Sequence, residues 1–154
     1  MKIYDQYDHL NAFKLIQDKN LYRELSEIVS PSSLLFGDKS PSEIKKIIGD
    51  SFDEKGWADK VKVITSKLTI NFSKSNIGVC FQIGNVARTY ADILKLMALH
   101  HKGVIEAGVI IVPGEEESKI LGKNYARYDR LEREIILYKD IITVPILAIG
   151  LSNK

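Results

Sequence analysis

Three uncharged residues, Asn71, Cys80 and Gln82, stand where a β-hairpin would converge reactive groups. Leu68-Thr-Ile-Asn-Phe72 and Ile77 to Ile83 have strand composition, and Lys74-Ser75-Asn76 between them makes a turn. Pairing brings Asn71, near the end of the first strand, close to Cys80 and Gln82. The latter two share one face of the second strand, because strand side chains alternate with period two. Carboxylates in this arrangement would hold a hard divalent cation and a water beside it. That is what metal-assisted phosphodiester hydrolysis needs. An amide is a neutral, poorer ligand for such an ion, and a thiol prefers soft metals. Taken alone, Cys80 reads as a small buried hydrophobe and Asn71 as an ordinary strand-end residue.

Other residues offer partial chemistry. Glu43, on a helix before the sheet, is the carboxylate that could reach the hairpin, while Asp92 and Glu106 read as caps or solvated charges. Lys74 at the hairpin tip could touch a phosphate. Arg88, Lys95 and Lys102 are spaced by seven and share a helix face. Lys119, Lys123, Arg127 and Arg130 form a second stripe, the pattern phosphate contacts use. Glu116, Glu117, Asp129, Glu132 and Glu134 are interleaved with them, as on an exposed helix with internal ion pairs. Adjacent His100 and His101 point their rings apart, and His9 is far away, which argues against zinc. Cys80 has no evident His/Asp partner for nucleophilic work. There is no Gly-x-x-x-x-Gly-Lys loop for a nucleotide-driven motor.

The elements that must position these groups follow from periodicity. Residues 5–29 carry Leu10, Phe13, Ile16, Leu21, Leu25 and Ile28 at helical spacing, with a break at Asp18-Lys19-Asn20. Ser40-Pro41-Ser42-Glu43 is a capping box opening a helix through Ile44, Ile47, Ile48 and Phe52, which Gly56 stops. Strands are expected at 61–64, 68–72 and 77–83. Asn85 then caps a helix over 86–101. Ala107 to Val112 is a buried-strand run. A long charged helix is expected over 116–138, and Ile141 to Ile149 closes as an apolar strand. The order α, α, β, β, β, α, β, α, β predicts an α/β fold: a mixed sheet, with an antiparallel hairpin plus crossover strands, flanked by helices.

The bulk properties set bounds. A chain of 154 residues with 45% hydrophobic residues suits one domain, helical over 1–56 and sheet-rich over 57–154. Net charge is only +2, so binding to nucleic acid would depend on local clusters of Lys and Arg. A single cysteine excludes an internal disulfide and any Cys-cluster zinc site, and it fits a reducing cytoplasm. The N-terminus shows no apolar core of a signal peptide. No apolar run reaches the ~18–20 residues of a membrane span.

The hairpin Ile70-Asn-Phe-Ser-Lys-Ser-Asn-Ile-Gly-Val-Cys-Phe-Gln-Ile-Gly84 resembles that of the BglII-like type II restriction endonucleases. Their pattern is Ile-Asp-Phe … Ile-Gly-Val-Glu-Val-Gln-Phe-Gly, a Gln variant of the PD-(D/E)XK nucleases. The nine-residue step from Asn71 to Cys80 and the Gln at 82 both match it. Tyr7-Asp-His-Leu-Asn11, Ser40-Pro41 … Phe52 … Gly56-Trp57, Gly108 to Pro113 and Val144 to Gly150 resemble further segments of that family. The resemblance implies a restriction-endonuclease-like fold, duplex DNA as partner, a homodimer, and Mg²⁺ held at positions 71 and 80. Catalysis would then involve Asn71, Cys80 and Gln82, with Glu43 as a substitute carboxylate. Lys74, Arg88, Lys95, Lys119 and Lys123 would bind DNA. Asn71 and Cys80 depart from the family's Asp and Glu, so impaired cleavage is expected. The alternative is a non-catalytic binding or structural module that keeps the nuclease fold.

Overall fold

Ala107 to Pro113 (β5) is an unbroken apolar run, and it forms the centre of the molecule, buried at every residue. Such a strand needs cover on both faces, the usual setting of parallel pairing. The computed structural model, which describes residues 1–154, provides it. Seen in chain order, the elements are β1 (Lys2–His9), α1 (Ala12–Asp18), α2 (Leu21–Val29), α3 (Pro41–Glu54), β2 (Ala58–Lys62), β3 (Thr69–Lys74) and β4 (Ile77–Phe81). After these come α4 (Arg88–His101), β5, α5 (Glu115–Leu121), α6 (Tyr128–Leu137) and β6 (Ile146–Ser152). One six-stranded sheet has the order β1-β6-β5-β4-β3-β2. β5 is parallel to β4 and β6, whereas β3, β2 and β1 join antiparallel.

The two faces of the sheet bury different helices. Ile16, Leu25, Ile44, Ile48 and Phe52 of α1–α3 pack on Val79, Phe81, Val109, Ile111 and Ile149. Ile93, Leu96 and Leu99 of α4, with Tyr128, Leu131 and Ile135 of α6, pack on Cys80, Ile110 and Ala148. Period-two alternation thus puts Cys80 on the α4 face and its neighbours Val79 and Phe81 on the other. α4 lies very close to the sheet. A Cβ on Gly78 or Gly108 would meet Leu96 side-chain atoms at 3.1 Å or 2.7 Å. The absence of side chains there lets α4 settle over β4, with Asp92 one turn before Leu96.

Several expectations are corrected. Residues 2–9 are a strand, not the start of a helix, so the first 56 residues are not purely helical. β1 pairs with β6 from Lys2↔Ser152 to His9↔Ile146, and this long-range ladder outweighs a weak local helical pattern. Leu10, counted as an apolar helix position, lies in the left-handed region and is exposed. The expected 116–138 helix is two helices. Gly122 ends α5, and residues 124–126 leave helical geometry to pair with the turn after β4. Val86 N donates to Asn124 O at 2.8 Å, and Ala126 N donates to Gly84 O at 2.7 Å. The last strand starts only after Pro145, which lacks an N–H for the ladder. β2 begins earlier than expected and ends before Ile64, which has positive φ.

Candidate functional site

The ladder between β3 and β4 reaches Phe72↔Val79, and neither Asn71 nor Cys80 continues it. Instead the Asn71 side chain accepts from Phe81 N at 2.9 Å, taking the place of a main-chain acceptor. The hairpin opens there into a cleft of about 320 Å³, lined by Asn71, Gln82, Asp92, Lys45, Arg88 and Lys95 among others. Phe72 stacks on Phe52 with ring centroids 4.0 Å apart, which ties β3 to α3. That contact holds Lys45, next to the buried Ile44, at the cleft rim.

Gln82 is nearly buried, and its main-chain N donates to Ile111 O at 2.8 Å. Its Nε2 donates to Asp92 Oδ2 at 2.9 Å. The other Asp92 oxygen receives Lys95 Nζ at 3.0 Å. Asp92 is only 4% exposed, so both its oxygens are spoken for inside the cleft. Cys80 lies fully buried beneath. Desolvation, and secondarily the nearby Asp92 charge, push its thiol well above the ordinary value, which keeps it protonated and a poor ligand. Lys45 is pushed the other way: desolvation first, then the like charge of Arg88, lower its pKa.

This donor set does not fit a resident magnesium ion. A hard cation wants several oxygens, with carboxylates among them. The cleft offers one carboxylate, and an ammonium already neutralises it. The Asn71 oxygen is bound to Phe81 N, and Cys80 contributes a neutral sulfur. No group of three or more His, Cys, Asp or Glu side chains is disposed to hold a metal ion.

The remaining sequence-derived candidates separate into two sets. Arg88 and Lys95 line the hairpin cleft. Lys119 and Lys123, with Arg127 and Arg130, line a groove of about 550 Å³, despite the helix break between them. A third concavity, bounded by Lys45, Arg88 and Lys123, connects the two. Lys119, Arg127 and Arg130 are engaged by Glu116, Asp129 and Glu134, while Lys45, Arg88 and Lys123 form no ion pair. Lys74 lies outside this strip. Its ammonium donates to Glu24 at 2.8 Å and to Lys55 O at 2.7 Å. Glu43 does not line the cleft either. It closes the capping box, accepting from Ser40 N at 2.9 Å, and the helix turns Lys45 inward in its place. Glu106 is paired with Lys19 at 2.8 Å.

Lys45 was missed by sequence reasoning, and nothing local marks it. Asp92 was undervalued although a signal existed. It shares the buried stripe of α4 with Thr89, Leu96 and Leu99, where an acidic residue needs a buried partner.

The fold and sequence have known counterparts. A family profile described as "Restriction endonuclease BglII/BglIII" matches residues 4–151. The crystal structure of restriction endonuclease BglII complexed with a DNA 16-mer is similar at TM-score 0.82 and 18% identity, over 100% of this chain and 78% of that one. Free BglII is similar at TM-score 0.77 and 20% identity, over 100% of this chain and 81% of that one. These likenesses concern the fold. No curated protein sequence matches the chain. With the family profile spanning nearly its whole length, the protein belongs to the BglII/BglIII restriction endonuclease family.

Proposed function

We propose that the protein binds duplex DNA as a homodimer and does not carry out Mg²⁺-dependent phosphodiester hydrolysis at the hairpin cleft. The observation that carries the reading is the continuous strip of basic side chains from Lys95 through Lys45, Arg88 and Lys123 to Arg130. Phosphate contacts need such a strip, and three of its cations have no carboxylate partner. Family membership and the DNA held by the BglII structure support DNA as the partner. The lack of cleavage rests on the donor set, with Asn71 and Cys80 where ligands would sit and Asp92 neutralised by Lys95.

Dimerisation is supported by an exposed apolar surface on the α4 and α6 face. Tyr90 OH donates to Glu134 Oε1 at 2.6 Å, joining the two helices. One turn on, Leu94 and Leu137 are 65% and 71% exposed. Two-fold symmetric readers suit palindromic sites.

Duplex binding as a function of salt tests the partner. A log–log slope of several units is expected, and no binding at low salt would leave the non-catalytic protein-contact module in its place. Plasmid nicking with Mg²⁺ or Mn²⁺ tests catalysis. Robust cutting by the unaltered chain would refute the inactive reading.

A further inference from the structure

We infer that the hairpin cleft is a phosphate site that operates without a divalent cation, with Lys45, Arg88 and Lys95 as the groups that receive one backbone phosphate of nucleic acid. The inference rests on the DNA-binding reading for the source of the phosphate. It depends on the charges that line the cleft. Three cations and one carboxylate surround it, while positions 71 and 80 contribute no charge. Two carboxylates at those positions would repel a phosphodiester until a metal intervened. Here nothing needs neutralising before the anion enters.

The arrangement is also unsatisfied without an anion. Lys45 and Arg88 line the cleft together as like charges, and neither forms an ion pair, the Asp92 carboxylate favouring the Lys45 charge only through space. Asp92 makes no direct contact with either, because Gln82 and Lys95 occupy its oxygens. Its role is to anchor Lys95, whose side chain is 19% exposed, at the inner end of the cleft. A phosphate between the three receives charge-assisted hydrogen bonds, with the Arg88 guanidinium offering two parallel donors. Relief of the Lys45–Arg88 repulsion adds to the gain. No bond to the phosphate is made or broken in this mode.

Affinity for a short duplex, measured by fluorescence anisotropy in EDTA and in Mg²⁺ at matched ionic strength, tests the claim. Equal affinity within about twofold is expected, and Lys45→Ala and Arg88→Ala are each expected to lower the salt slope by about one per protomer, or about two for a bound homodimer. Binding that disappears in EDTA and returns with Mg²⁺ overturns it. So does wild-type affinity and slope in both variants. A second probe separates the two readings. The dinucleotide phosphodiester d(TpT), titrated in EDTA at low salt, is expected to shift the Gln82 side-chain amide and Arg88 Nε resonances of the unaltered chain, and to leave the Gln82 amide unmoved in Arg88→Ala and Lys45→Ala. If d(TpT) shifts them but no duplex binds, the phosphate site stands and duplex recognition falls. If a duplex binds while both variants behave as wild type, the phosphate site falls and DNA binding stands. If neither ligand binds, both fall.

Discussion

Converting the hairpin to a carboxylate pair, Asn71→Asp with Cys80→Glu, is the perturbation whose size the structure sets most directly. Cys80 has no exposed surface, and Asp92 already occupies the cleft beside it. An uncompensated buried charge costs about 3–5 kcal/mol. Lys45, Arg88 and Lys95 offset part of this, so a loss of roughly 2–4 kcal/mol is expected without metal. At about 2–4 °C per kcal/mol for a chain of this length, Tm falls by roughly 4–16 °C. The same variant gains a hard-oxygen donor set. Saturation at about 100 times Kd returns about 2.7 kcal/mol, or roughly 5–11 °C. Thermal melts with and without Mg²⁺ at matched ionic strength read both effects, with Asn71→Asp at its exposed site as a folding control. The unaltered chain is expected to show no Mg²⁺-dependent rise. A flat response from the double variant would mean that 71 and 80 are not the metal positions. An equal rise in the unaltered chain would mean that the present donors hold the ion after all.

Asp92→Ala strands the Gln82 amide and the Lys95 ammonium, so unfolding in urea is expected to show a loss of about 1–3 kcal/mol. The buried Cys80 thiol is expected to resist alkylation until the chain unfolds, and rapid labelling of the folded protein would contradict its placement. Because burial raises its pKa above the ordinary 9.0, the Cys80 contribution to stability is intact below that value. It is lost as pH climbs toward the raised value, since the unfolded chain then releases a proton that the folded one keeps. Urea midpoints from neutral pH to about pH 10 are expected to fall less steeply for Cys80→Ala. Ser40→Ala removes the α3 cap and is expected to cost about 1 kcal/mol. Glu43→Ala is expected to lower Tm slightly and leave duplex affinity unchanged, since its carboxylate serves Ser40.

The site's chemistry was partly legible in the linear order because its key positions are close in sequence. Asn71, Cys80 and Gln82 belong to one hairpin, and period-two alternation alone puts the last two on one face. The capping box at Ser40 and the buried run of β5 are equally local. Residues that meet only through the sheet were not legible. Lys45 comes from α3 and Asp92 from α4, on opposite faces, and they line the same cleft because β3 and β4 part between them. Lys45 was not considered, whereas Glu43 drew attention because a carboxylate on the preceding helix could replace a missing ligand, although the capping box already gave it a structural role. The helix start consumed it as a cap.

The amino-acid sequence alone therefore determined the elements with strong local periodicity, the uncharged identity of positions 71 and 80, and the family resemblance. Tertiary structure decided what surrounds those positions. It made residues 2–9 a strand, because the free edge of β6 offered a ladder that outweighed weak helical spacing. It split the 116–138 helix, because the turn after β4 needed main-chain partners from residues 124–126. It turned Asp92 from a presumed surface charge into the buried anchor of Lys95, because the glycines at 78 and 108 let α4 settle close to the sheet.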